Sequence, residues 1–156
     1  MQWRNEQIYH LRQNKPLDKE TQDKYFDIVV SKLFEKENPE QILFSYLENG
    51  VCIGYGGLVH INWLDKNAEI SFIMNTKLEE LHFNKHWKIF LGLLEISAFE
   101  SLNFHKIFTH AYNIRPKLFE ILIECKYTNE AILHEHVFID NVYHDVLIHS
   151  KFNKSD

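Results

Sequence analysis

Ala68-Glu69-Ile70-Ser71-Phe72-Ile73-Met74 is an alternating, strand-like run that feeds a short polar loop and then an amphipathic helix, Asn84–Ser101. A strand that delivers its C-terminal end to a helix N-terminus builds an anion site, because the first helical N–H groups lack partners and the dipole there is positive. Upstream, an Asn49-Gly50 turn joins two further strand-like runs, Gln41–Leu47 and Val51–Ile61. Downstream, Lys106–Ala111 is a short apolar segment, and Pro116 opens a helix that runs to Cys125. The tail reads as a long hairpin, Tyr127–Phe138 and Val142–Ser150, around Asp140-Asn141. Near the N-terminus, Glu6–Gln13 reads as a short helix. Asp18 caps a second helix, with Phe26, Val29, Val30 and Leu33 at helical spacing and Asn38-Pro39 as its stop. The order β-β-β-α-β-α-β-β predicts an α/β (α+β) fold, a mixed sheet with helices against it.

The 156 residues suit a single domain spanning 1–156. With 45% hydrophobic and 14% aromatic residues the chain can bury an ordinary core, which excludes global disorder. A net charge of -5 argues against nucleic acid as a general partner. No apolar run approaches the ~20 residues of a membrane helix, and residues Met1 to Asn5 lack a signal peptide's apolar region. The expectation is a cytoplasmic protein with no membrane partner. Cys52 and Cys125 form no metal-type pair and no disulfide framework, and read as buried, reduced thiols.

Pairing Ile139 with Val142 across the two-residue turn sets the hairpin register. Leu133, Val137, Ile139, Val142, Val146 and Ile148 then share an apolar face, and His136 falls opposite Asp145 on the other. Either a cross-strand ion pair or part of a two-His, one-carboxylate metal site fits that juxtaposition. Alternating polar residues on strands are ordinarily the wet face, so no metal is expected.

The order of elements, with Gly54-Tyr55-Gly56-Gly57, Ala68–Phe72 and the segment Ser97–Ile107, resembles the GNAT superfamily of acyl-CoA-dependent N-acetyltransferases. The tail from Glu135 to Val146 looks like the branch of ribosomal-protein and amino-sugar acetyltransferases. Trp3-Arg4-Asn5-Glu6, followed by Asp18–Phe26, is similar to the start of amino-sugar enzymes of surface-glycan and pseudaminic-acid pathways. The resemblance covers nearly the whole chain and implies a mostly antiparallel sheet of about six strands flanked by helices.

The resemblance also implies a chemistry. Acetyl-CoA, the co-substrate, would lie where Ala68–Met74 and Lys106–Ala111 splay apart, with the backbone of Phe72, Ile73 and Met74 holding the pantetheine and polarising the thioester carbonyl. A neutral amine attacks, so a base must take its proton. Glu69 matches the family's frequent strand glutamate and is the first candidate, against an ordinary solvated strand carboxylate. Arg4, Asn5, Tyr55, His60 and Trp63 are candidates for the acceptor side, with His60 a second possible base.

Four departures from the family bear on that chemistry. The phosphate loop of the relatives follows Gln/Arg-x-x-Gly-x-Gly/Ala, and the matching segment is His82-Phe83-Asn84-Lys85-His86-Trp87, without a glycine. Two outcomes are open. Asn84, Lys85, His86 and Lys88 supply charge and donors in place of glycine amides, or Phe83 and Trp87 fill the pocket and the fold no longer binds CoA. The tyrosine that protonates the leaving thiolate in many relatives falls at Leu122, leaving Tyr112 or Tyr127 for that role. The asparagine that commonly precedes the next helix falls at Arg115, with Asn113 nearby. Finally, the relatives' strand ahead of Trp-Arg-Asn has no counterpart before Trp3, which leaves a sheet edge open to strand addition or a homodimer. The sequence therefore points to transfer of acetyl from acetyl-CoA to a primary amine of a small molecule, an amino sugar or nucleotide-linked amino sugar first. A protein N-terminus and a catalytically silent GNAT-like binding module are the alternatives.

Overall fold

The computed structural model describes residues 1–13 and 15–153. Helix α1 (Gln2–Glu6) is followed by a helical turn at Ile8–His10, then α2 (Lys19–Tyr25) and, through a wide turn at Phe26–Val30, α3 (Ser31–Leu33). Strands β1 (Ile42–Glu48), β2 (Val51–Asn62) and β3 (Asn67–Met74) precede α4 (Thr76–Glu95) and a wide turn at Ile96–Ser101. Strand β4 (Lys106–Tyr112), α5 (Pro116–Glu124), β5 (Thr128–Ile139) and β6 (Val142–Phe152) complete the chain. The element order matches the sequence reading, and the strands lie as β1-β2-β3-β4-β6-β5. Among the described residues, no helix is long and apolar enough to cross a membrane.

Local chemistry explains most boundaries. Asp18 accepts from Thr21 N at 2.8 Å and starts α2. Both hairpin turns place two consecutive residues at positive φ, Asn49 (51°) with Gly50 (79°), and Asp140 (50°) with Asn141 (63°). At Gly56 a side chain is sterically excluded: its Cβ would sit 2.2 Å from Ser71 O and 2.9 Å from the Phe90 ring. That close approach lets Phe90 stack on Phe72, with centroids 3.8 Å apart. The same aromatic layer continues into Tyr46 and Trp87, and with Leu118, Ile121 and Leu122 of α5 it forms the core between the sheet and α4–α5.

Four expectations are corrected. The polar stretch after Met74 is helical, because Asn75 accepts from Lys77 N at 3.0 Å and opens α4 at Thr76. The helix then kinks at His82 (φ -132°, ψ 26°), just before the expected start. The expected helix over 6–13 breaks after Glu6, because the Gln7 side chain donates to the Met74 carbonyl at 2.8 Å and draws the segment onto β3. In the last hairpin the deduced register holds at Ile139↔Val142, Phe138↔Tyr143 and Val137↔His144. A bulge at Glu135 (φ 49°) then shifts it, so Leu133 meets Val146. Asp145 consequently accepts from Glu135 N (2.9 Å) and approaches His134 Nδ1 (3.3 Å); it does not face His136. Cys52 is exposed on β2, not buried.

Candidate active site

Parallel strands β3 and β4 pair at only three positions, Asn67↔Lys106, Ala68↔Ile107 and Glu69↔Phe108. Beyond Glu69 they diverge, so Ile70–Met74 and Thr109–Tyr112 border a wedge in which neither strand's backbone is paired with the other. Glu69 stands at its apex. Phe72 and Met74 turn their side chains into the core and Ile73 turns its own to the Glu69 face, and each is at most 6% exposed. What they offer the wedge is backbone.

Glu69, 13% exposed, is held at both oxygens. Arg12 Nη2 lies 2.5 Å from Oε1, and His60 Nδ1 lies 2.8 Å from Oε2. His60 is aimed there by the bulge that interrupts β2 between Val59 and Asn62, where its own φ is 48°. Next to this group, burial and the Arg12 charge keep the His110 imidazole below its usual pKa, and the His110 ring lies 5.9 Å from that of His136. Burial raises the Tyr112 phenol, which feels the charges of Arg12 and Glu69 and stays protonated near neutral pH. Arg12, His110 and Tyr112 join Glu69 only through the fold, and no spacing in the chain announces them.

At the head of α4 the expected cations disperse. Lys85 pairs with Glu48 at 2.8 Å, and Lys88 pairs with Glu124. His86 is buried, with Nδ1 3.0 Å from Tyr46 Oη. Trp87 is 4% exposed and packs edge-on against Phe72 at 5.1 Å. His86 and Trp87 are therefore core residues, not surface phosphate ligands. The indole does not obstruct the entrance: beside the kink lies an open hollow of about 430 Å³ lined by His82, Phe83, Asn84, Lys85, Lys117 and Glu120 among others. Asn113, at the end of β4, is exposed and donates its backbone N–H to Asp145 O at 2.9 Å.

Other candidates are structural. Arg4 Nε donates to Gln13 Oε1 at 2.8 Å, and the Asn5 amide bonds both the N–H and C=O of Leu17. Both brace the segment that carries Arg12. Trp63 donates to Pro39 O at 2.8 Å and packs on Phe104. Tyr55 pairs with Ile73 and is half-buried on the Glu69 face of the sheet. Tyr127 is 2% exposed, on the helical side with Lys151 over its ring. The sheet separates it from Glu69, so Tyr112 is the phenol on the candidate's side. Among the described residues no cluster of His, Cys, Asp or Glu could hold a metal.

A family model described as Acetyltransferase (GNAT) domain matches residues 1–148. The chain belongs to that family. It is an acyl-CoA-dependent N-acetyltransferase with acetyl-CoA as co-substrate. Solved structures with this fold include the spermidine N-acetyltransferase of Vibrio cholerae in complex with CoA and spermine, at 21% identity and TM-score 0.76, covering 90% of this chain and 79% of that one. A single-residue variant of that enzyme aligns with TM-score 0.80 at 20% identity over 97% and 84% of the two chains. Another variant reaches 25% identity, with TM-score 0.68 over 79% and 73%. No curated protein sequence matches the chain. The acetyltransferase also fits its co-substrate on its own residues. Trp87 Nε1, Thr109 Oγ1 and His110 Nδ1, buried on residues of the wedge or packed against it, have no partner, and the hollow at α4 presents Lys85 and Lys117 to an anion.

Proposed function

We propose that this enzyme acetylates the primary amine of an amino sugar, preferentially one linked to a nucleotide or another phosphate. The observation that carries the reading is the position of Glu69 at the point where β3 and β4 part, with His60 on one oxygen and Arg12 on the other. Acetyl-CoA supplies the acetyl group as a thioester at that point. The carboxylate orients the His60 ring through Nδ1–H, which leaves Nε2 of this exposed imidazole directed outward to take the proton of an incoming amine. Glu69 thus takes up the charge that appears on His60, as a carboxylate does behind a catalytic imidazole. Tyr112, kept neutral by burial, supplies a proton for the departing thiolate.

Charge favours the anionic acceptor. Arg12 is the fixed cation beside Glu69, with His60 on the other oxygen and the His110 imidazole, kept below its usual pKa, next to them, and a polycation would enter against the arginine. The Vibrio enzyme bound spermine, so a polyamine is the acceptor to test against. The experiment compares turnover with acetyl-CoA on a nucleotide-linked amino sugar, the free amino sugar and spermidine. Highest kcat/KM is expected for the nucleotide-linked sugar. Turnover on spermidine alone would refute the acceptor class, and no thermal shift with millimolar acetyl-CoA would refute the transferase itself.

A further inference from the structure

Arg115 occupies an unusual place for a charged residue. It caps the start of α5 without using its side chain as a cap, and that side chain is only 11% exposed. The guanidinium lies 5.5 Å from the ring centres of both Phe83 and Trp87, two aromatics one turn apart just after the kink of the helix. Among the described residues its charged partner is Glu79, at 2.6 Å and 12% exposed. Burial pushes the Glu79 carboxyl up even against the arginine's pull, so the site holds this anion at a cost. Glu79 sits on the short arm of α4 ahead of the His82 kink. Phe83, under the guanidinium, also lines the hollow with Lys85 and Lys117. The pair thus stands beside Phe83, at the edge of the hollow that Lys85 and Lys117 line together with Glu80 and Glu120.

We propose that Arg115 grips the diphosphate of the co-substrate in place of the missing glycine loop, and that Glu79 is a built-in competitor which leaves the guanidinium when the diphosphate arrives. The inference rests on the functional reading above. A guanidinium fork matches two oxygens of a phosphate, and a diphosphate brings more charge than one carboxylate into the same dry position. The aromatic rings keep the fork flat and preorganised, so little side-chain freedom is lost on exchange. In this arrangement Phe83 and Trp87 form the platform of a side-chain phosphate site, and their bulk is no longer an obstacle to binding. Lys117 and Lys85 lie alongside to share the remaining charge, while the Glu79 arm turns toward water at the kink.

The test is calorimetric titration with acetyl-CoA and with S-acetylpantetheine, which lacks the diphosphate. Arg115→Met should weaken acetyl-CoA by about tenfold or more and leave acetylpantetheine within about twofold. Glu79→Gln should tighten acetyl-CoA several-fold with the same indifference to acetylpantetheine, and inorganic pyrophosphate should raise its Tm more than that of the wild type. Should Arg115→Met fail to fold, Arg115→Lys, which keeps the charge and loses the fork, should weaken acetyl-CoA alone. Equal losses for both ligands, or a weaker acetyl-CoA complex in Glu79→Gln, would overturn the proposal and leave the transferase standing. A wild type that binds neither ligand would overturn the functional reading, and this proposal with it.

Discussion

Arg12 Nη2 meets Glu69 Oε1 at 2.5 Å, joining the N-terminal segment to the central strand across 57 residues of chain. The contact joins a bend after the N-terminal helical turn and a strand carboxylate into one site. Arg12 is itself held in place through its own segment, by Gln7 on Met74 O and by the Arg4–Gln13 and Asn5–Leu17 bonds.

Removing that tie tests its role. If Arg12 meets the anionic part of the proposed acceptor and sets the pose of Glu69, Arg12→Met should raise the acceptor KM by about tenfold while kcat changes less. The salt dependence of kcat/KM should flatten as well. An unchanged KM on the phosphate-linked acceptor would show that the arginine is only a surface ion pair.

The proton acceptor is tested at both members of the pair. Glu69→Gln should lower kcat by about 100-fold and leave acetyl-CoA affinity within about twofold, because the amide cannot stabilise a charged imidazole. His60→Ala should lower kcat similarly. Near-normal turnover in either variant, measured by thiol release, would remove that residue from the proton path.

Trp87 distinguishes a core residue from a binding residue. At 4% exposure and with Phe72 and Phe83 as neighbours, Trp87→Ala should cost about 3–5 kcal/mol in urea unfolding. Trp87→Phe should cost much less. A fully stable Trp87→Ala protein would place the indole outside the packed core.

Acid should destabilise the fold in a defined window. Burial, with the Arg115 charge beside it, pushes the His10 imidazole down to about 3 from 6.5. The unfolded chain takes up this proton below about pH 6.5 and the folded chain does not until about pH 3, so stability falls as pH drops through that interval. The slope from this one group is at most about 1.4 kcal/mol per pH unit, and buried His86 and His149 act with the same sign. His10→Gln should flatten the dependence of Tm on pH below 6.5. An identical profile in the variant would show that His10 titrates normally.

Local pattern determined a great deal. The alternation in Ala68–Met74, the Asn49-Gly50 and Asp140-Asn141 turns and the Pro116 start fixed element types and order, because turn geometry and side-chain period act within a few residues. Alternation likewise made Glu69 legible as a strand carboxylate, while its place beside a parallel pair came from the family resemblance. What the chain could not declare was decided by packing. Whether Trp87 blocks an entrance or fills a core depends on Phe72 and Arg115, brought to it from two other elements, and on Phe83 one turn away on its own helix. Lys85, His86 and Lys88 form a cluster in the sequence and none in space, since consecutive positions on a helix point in different directions and each found another partner. Arg12 with Glu69, and Glu79 with Arg115, are long-range meetings that exist only once the sheet has curled and the N-terminal segment has settled on β3. Periodicity carries no record of such meetings, because the free energy that selects them comes from burial and charge pairing among residues far apart in the chain.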